Sequence, residues 1–271
     1  FAEIQSRITK VIDCLKGLRP DQIDGKDDAK VTVTIGAQPD GFNINEKRDL
    51  AAEVRKQKAA YGIAFDGDAD RVLVVDGEGR AYDGDQLLFA IAKHRSSKEK
   101  IAGVAGTLMT NFAFEKAMAK LGIGFGRAKV GDRYVLELLR EKNWLLGGAN
   151  SRHLICLDKH TTGDGIVSAL QVLGAMRESG RSLAGLAADL VMYPQVLLNV
   201  EVPRGFAWEK HQSIDEAKSN AERSLNGKGR VLLRPSGTEP VLRVMVEGEP
   251  KETIESAAES IASAVRRAAT G

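Results

Sequence analysis

The sequence lacks a charge excess, a cysteine framework and any long apolar run, and each shortage removes a class of function. Lys and Arg number 39 against 37 Asp and Glu, a formal net charge of +2. Nucleic-acid binders ordinarily carry a basic surplus or a basic stripe, and neither occurs, so no nucleic-acid partner is expected. The two cysteines, Cys14 and Cys156, lie far apart and form no CxxC spacing. A reducing, cytoplasmic setting is then the default, with both thiols acting as small buried apolar groups. No apolar run approaches the ~20 residues of a membrane span, so no membrane partner is expected. Phe1-Ala2-Glu3-Ile4 leads into polar sequence rather than a cleavable signal. The first residue is not Met, which leaves processing or truncation open. Internal repeats and low-complexity tracts are missing too.

What is present is an ordinary globular composition, 43% hydrophobic and 28% charged over 271 residues, enough for two or three domains at ~100–150 residues each. Strand-like apolar runs alternate with amphipathic stretches, which argues for α/β layers. The spacing predicts strands over 31–35, 62–65, 72–75, 101–104, 154–157, 196–202, 230–233 and 241–247. Helices are expected over 50–60, 111–121, 132–141, 166–177, 182–190, from a capping box at Ser213–Glu216 to about 225, and over 252–268. Asp132 and Ser182 are the expected N-caps of their helices and Gly122 a C-terminal stop. The last block reads β-α-β-β-α, a small α+β domain. The division we expect is 1–98, 99–195 and 196–271.

The most informative segment is Asp66-Gly67-Asp68-Ala69-Asp70-Arg71, between two strands. Three carboxylates at alternate positions of a tight loop can converge on one hard cation, and small residues between them let the backbone curl. Oxygen ligands alone suit Mg²⁺, Mn²⁺ or Ca²⁺ rather than zinc. An EF-hand loop is excluded, because its required Gly and Glu positions hold Arg71 and Gly77. Arg71 adds a fixed positive charge where a phosphate would approach.

A second segment, Arg234-Pro235-Ser236-Gly237-Thr238-Glu239-Pro240, lies between two strands near the end. It offers a guanidinium, hydroxyls and backbone N–H groups freed by a Gly turn, the parts of a phosphate cradle. Arg243 alternates with Leu242 and Val244, so it faces away from their side of the strand. An ordinary hairpin with solvated arginines is the competing reading. Between these segments, Lys129-Val130-Gly131-Asp132-Arg133 sets two cations around a helix N-terminus, and Gly147–His153 is a Gly-led loop whose Asn, Ser and His could bind hydroxyls.

Taken together, GIAFDGDADRV at 62–72, DGDQLL at 83–88, AKVGDRYVLE at 128–137, LDKHTTGDGIV at 157–167 and VLLRPSGTEPVLRVMVEGE at 231–249 resemble the α-D-phosphohexomutase superfamily. The GDRYV and TTGDGIV contexts are similar to its phosphoglucosamine mutases. The resemblance runs from about 36 to 249 and implies mixed-sheet α/β domains followed by a small α+β domain. It implies Mg²⁺ as cofactor, held by Asp66, Asp68 and Asp70. It implies a hexosamine phosphate substrate, gripped at its non-reacting phosphate by Arg234, Ser236, Gly237, Thr238 and Arg243. Arg71 and Lys129 are expected to serve the transfer step, and Arg133, Ser151 and His153 to bind substrate. The reaction implied is interconversion of glucosamine 6-phosphate and glucosamine 1-phosphate through a phosphorylated serine; a homodimer is left open.

Three departures qualify the resemblance. The family's serine loop, S-A-S-H-N, does not occur ahead of the metal loop, so the chain is expected to hold domains two to four and not to complete turnover alone. The sugar loop, E-N-S-G-H in the family, reads Ala149-Asn150-Ser151-Arg152-His153. Residues 1–35 and 46–49 fit poorly. A fragment, a degenerate paralogue or a deliberately altered chain would each account for this. The alternative function is a non-catalytic paralogue that binds metal and sugar phosphate as a sensor or partner subunit.

Overall fold

The computed structural model describes residues 30–34, 47–237 and 239–270; Cys14, Thr238 and most of the segment before 47 lie outside the described residues. The mixed α/β architecture expected from the sequence forms, in two compact units. One comprises the chain up to Thr110 with Phe114–Leu190, the other Asn111–Ala113 with Val191–Gly271.

The first unit contains two four-stranded sheets. In one, the order is β1 (Lys30–Thr34), β2 (Ala59–Phe65), β3 (Val72–Asp76), β4 (Ala81–Tyr82), with helix α1 (Lys47–Gln57) between β1 and β2. β1 and β2 run parallel, whereas β2–β3 and β3–β4 are antiparallel. Every residue of β2 and β3 is buried, as continuous apolar runs covered on both faces should be. Phe65 pairs with Val72, so the six residues Asp66 to Arg71 form the whole connection between them.

Helix α2 (Gly84–Ser96) follows, opened by a capping box in which Asp83 accepts from Gln86 N and Gln86 returns to Asp83 N. The second sheet has the order β6 (Gly124–Ala128), β5 (Gly103–Thr107), β7 (Leu146–Gly148), β8 (Leu154–Cys156). β5, β6 and β7 are parallel, joined through α3 (Phe112–Lys120) and α4 (Asp132–Lys142), and β8 returns antiparallel. The glycines of this sheet make room for Trp144: a Cβ on Gly103 would stand 2.1 Å from the indole. α5 (Gly165–Ser179) and α6 (Leu183–Ala187) complete the unit. Cys156 is buried, and burial pushes its thiol up to about 11.

The second unit is a three-stranded antiparallel sheet, β10 (Gly229–Pro235), β11 (Val241–Gly248), β9 (Gln195–Glu201), covered by α7 (Gln212–Leu225) and α8 (Lys251–Thr270). On α8, Ile254, Ala258, Ile261 and Val265 recur at helical spacing, are fully buried, and pack with Val244, Val246, Ile214 and Leu225.

Several local expectations differ: residues 59–60, expected to end a helix, belong to β2, Gly147 and Gly148, expected in a loop, belong to β7, and β4 and β6 were not expected. α7 begins at Gln212 with His211 as N-cap, because Glu216 accepts from Gln212 Nε2 at 2.7 Å rather than reaching back to Ser213. α4 is capped by Gly131, whose φ of 132° favours glycine, so Asp132 becomes the first helical residue. α6 keeps Ser182 as its cap but ends at Ala187.

Truncating the fully buried Ile261 to Ala should lower unfolding free energy by about 2–5 kcal/mol. The exposed Arg267→Ala should stay within about 0.5 kcal/mol of the parent. Urea titration followed by circular dichroism measures both.

Candidate metal and anion sites

The turn between β2 and β3 curls because Ala69 takes a left-handed conformation, φ 58°, and its N–H bonds back to the Asp66 carbonyl at 3.0 Å. Carboxylate oxygens of Asp66, Asp68 and Asp70 then lie within 4.8 Å of one another. Arg71 N donates to Asp66 Oδ1 at 3.1 Å, and Arg71 Nε sits 3.7 Å from Asp66 Oδ2 and 3.9 Å from Asp70 Oδ1. Asp70 Oδ1 itself is buried without a hydrogen-bond partner among the described residues. Three convergent carboxylates, one of which also carries an unmatched oxygen, fit a hard divalent cation.

Two glycine-led segments hold this turn. Gly165, at the start of α5, donates its N–H to the Ala69 carbonyl at 2.8 Å, and a Cβ there would stand 2.6 Å from the Arg71 carbonyl. Asp164 caps that helix through Val167 N at 2.8 Å. Thus the TTGDG segment is what seats a helix end against the acidic turn. On the other side, residues 149–152 close a tight turn, with Arg152 N donating to the Ala149 carbonyl at 3.0 Å. The Arg152 carbonyl accepts from Val72 N at 3.2 Å, and Arg71 bridges His153 in antiparallel fashion.

Arg152 occupies φ 75° and is buried. An L-residue with a Cβ pays about 1–2 kcal/mol for that backbone region, and glycine does not. Burial, then the neighbouring Arg71, lowers the Arg152 guanidinium below its usual range, while Asp83 and Asp66 oppose the shift. Ala149 is buried and Ser151 is exposed.

His153, expected to face substrate, is 4% exposed. Its Nδ1 lies 3.0 Å from Asp70 Oδ2 and 3.5 Å from Asp132 Oδ2. The structure therefore brings Asp66, Asp68, Asp70, Arg71 and His153 together with the first turn of α4. Lys129, just ahead of that turn, and Arg133 on it flank the Tyr134 ring, 5.8 and 4.8 Å from its centroid, and Arg133 Nη2 donates to Tyr134 Oη at 3.1 Å. Asp132 and Gly165 are participants the sequence reading missed. The glycines of TTGDG were the available signal for the second; for Asp132 there was none beyond the helix start.

In the second unit Arg234 pairs directly with Arg243 across the β10–β11 hairpin. Arg243 Nη2 lies 3.2 Å from Glu239 Oε2 and 3.5 Å from Ser236 Oγ, while its Nε is buried without a partner among the described residues. Burial, then Arg243, lowers Arg234 from its usual range. Gly237 has open space around it; Thr238 lies outside the described residues. Two arginines opposed in register, with a hydroxyl near one of them, could hold an anion.

Comparison with known proteins accounts for this combination of fold and loops. Residues 83–193 match the phosphoglucomutase/phosphomannomutase α/β/α domain III, and residues 197–264 match the C-terminal domain of the same family. The chain belongs to the phosphoglucomutase/phosphomannomutase family. Within it, similar relatives are phosphoglucosamine mutases. That of Nitrosospira multiformis is 57% identical over 246 residues, covering 88% of this chain and 53% of the relative. That of Herminiimonas arsenicoxydans is 50% identical over 272 residues, covering 96% and 60%. The chain thus spans about half the length of the relatives it matches. The fold is shared with a phosphoglucomutase/phosphomannomutase family protein of Burkholderia thailandensis (TM-score 0.68, 21% identity, 84% of this chain and 51% of that one). It is shared too with Aspergillus fumigatus N-acetylphosphoglucosamine mutase, solved with GlcNAc-6P and magnesium (TM-score 0.61, 20% identity, 81% and 53%).

Like charges directly opposed on a sheet destabilise it by roughly 0.2–1 kcal/mol. In phosphate-free buffer Arg234→Gln should therefore melt no lower than the parent. The parent should gain about 2.7 kcal/mol at phosphate 100-fold above its Kd, and the variant should lose that gain. Scanning calorimetry with and without phosphate separates the two effects.

Proposed function

We propose that this chain is the metal- and phosphate-handling part of a phosphoglucosamine mutase, which interconverts glucosamine 6-phosphate and glucosamine 1-phosphate by Mg²⁺-dependent phosphoryl transfer. The observation that carries the reading is the convergence of Asp66, Asp68 and Asp70 with Asp70 Oδ1 left unmatched. It is supported by the family membership and by relatives named phosphoglucosamine mutase. Division into 1–98, 99–195 and 196–271 belongs to the proposal. So does a cytoplasmic setting; among the described residues no helix is long and apolar enough to cross a membrane.

Phosphoryl transfer requires charge neutralisation and in-line positioning more than covalent machinery. Asp66, Asp68 and Asp70 would hold the cation, which neutralises phosphoryl charge when bound. Arg71 and Lys129 would add positive charge for the incoming phosphate, and Arg133 and Ser151 would contact the substrate. Arg234, Ser236, Gly237, Thr238 and Arg243 would grip the non-reacting phosphate, whose binding energy orients the reacting end. The phosphorylatable serine loop of the family does not occur in these 271 residues, so turnover would need it supplied. Arg152 in a glycine-favouring conformation and a buried Ala149 depart from the sugar loop of the family, and weaken the sugar grip.

Calorimetry with Mn²⁺ or Mg²⁺ at millimolar concentration should give heat that Asp68→Ala abolishes; equal binding by both chains would sink the metal assignment. A coupled assay for glucosamine 1-phosphate should show no steady-state turnover by this polypeptide alone. Adding a separately produced serine-bearing domain from a phosphoglucosamine mutase, to a chain carrying Ala149→Glu and Arg152→Gly, should yield turnover that Asp68→Ala removes. Binding without turnover in that mixture would leave a sugar-phosphate binder and overturn the enzymatic reading.

A further inference from the structure

His153 connects three parts of the first unit. Its side chain is 6% exposed, with Nδ1 3.0 Å from Asp70 Oδ2 and 3.5 Å from Asp132 Oδ2. Ionised carboxylates only accept hydrogen bonds, so Nδ1 carries the proton. Nε2 is buried without a hydrogen-bond partner among the described residues and lies against Gly163, where a Cβ would stand 1.9 Å away. In the neutral ring that nitrogen is a bare lone pair. An unmatched buried acceptor is tolerated better than an unmatched buried donor. Were Nδ1 to ligate an ion instead, the proton would move to Nε2, where no acceptor stands. The Asp70, Asp132 and His153 atoms, though all within 4.8 Å, therefore read as a hydrogen-bonded His153–Asp70 pair with Asp132 beside it rather than a second metal site.

The backbone fixes the ring where it is. Arg71 and His153 pair as an isolated antiparallel bridge, and Val72 N bonds to the Arg152 carbonyl. Gly163, whose lack of a side chain leaves room for the ring, also pairs with Ile155 of β8. With Asp70 Oδ2 engaged by the ring, its other oxygen, Oδ1, is the unmatched one.

We propose that His153 is a positioning residue of the acidic loop. Its Nδ1–H holds Asp70 Oδ2 so that Oδ1 is presented to the cation, and its approach to Asp132 ties the loop to the first turn of α4, beside Lys129 and Arg133. This rests on the cation reading of Asp66, Asp68 and Asp70. Groups that orient metal-ligating carboxylates typically change metal affinity 10- to 100-fold when removed.

The test is Mn²⁺ affinity of the whole 271-residue chain, measured by electron paramagnetic resonance titration, with circular dichroism to check folding. His153→Ala should weaken binding about 10- to 100-fold. His153→Asn should restore most of the loss, because its amide N–H can reach where Nδ1 donates but that nitrogen has no lone pair for a metal. Unchanged affinity in His153→Ala overturns the proposal, as does an equal loss in both variants, which would make Nδ1 a ligand. Parent affinity unaltered by Asp68→Ala would instead show that the cation reading itself fails. Long-range ¹H–¹⁵N spectra of the ion-free parent give an independent result that needs no variant to fold: a proton on Nδ1 and none on Nε2 is expected, and the opposite tautomer overturns the proposal.

Discussion

The first unit depends on holding three carboxylates of one short turn within 4.8 Å of one another. Two unit charges 4 Å apart interact by about 4 kcal/mol at an effective dielectric of ~20, so such a turn opens unless something opposes the repulsion. Arg71 opposes part of it at 3.7 and 3.9 Å. The rest is mechanical. The strands on either side are wholly buried, the α5 N-terminus is seated on the Ala69 carbonyl, and the 149–153 segment is bridged to Arg71 and Val72. Rigid, separately anchored elements keep the acidic groups together, and the charge left over is what a divalent cation would neutralise.

The second unit sets the opposite problem. Arg234 and Arg243 face each other across a two-stranded ladder, and Glu239 and Ser236 approach Arg243 from the loop. Strand pairing and a core of Val244, Val246, Ile254 and Ile261 hold the hairpin in register, so the two arginines stay opposed in the ladder. Each unit thus holds like-charged side chains at or beside a connection between paired strands. Under the proposed function, the first would hold a divalent cation and the second a phosphate ester.

Much of this was legible in the sequence because it depends on local pattern. The alternation of β11 put Arg243 opposite its apolar neighbours, and the apolar runs before and after DGDADR located β2, β3 and the turn between them. What was hidden depends on packing between segments distant in the chain. Asp132 reads as an N-cap, but the positive φ of Gly131 moves the cap one residue earlier and frees the Asp132 carboxylate to meet His153. His153 reads as a polar loop residue, and only the bridge to Arg71 shows that it is buried. β6 was missed because GFGRA has little β-branched character, and its glycines are explained by Trp144, eighteen residues beyond Gly126. The Gly-to-Arg departure at 152 was visible as a motif mismatch, but its left-handed backbone was not.

The central claim is that the carboxylates of residues 66–70 are gathered to hold a cation. Anomalous diffraction from crystals of the 271-residue chain grown with Mn²⁺ tests it most directly. A single strong anomalous peak within coordination distance of Asp66, Asp68 and Asp70, with Asp70 Oδ1 rather than Oδ2 among the ligands, is the result predicted. No peak at that turn at saturating Mn²⁺, or a peak ligated by His153 Nδ1, would contradict it.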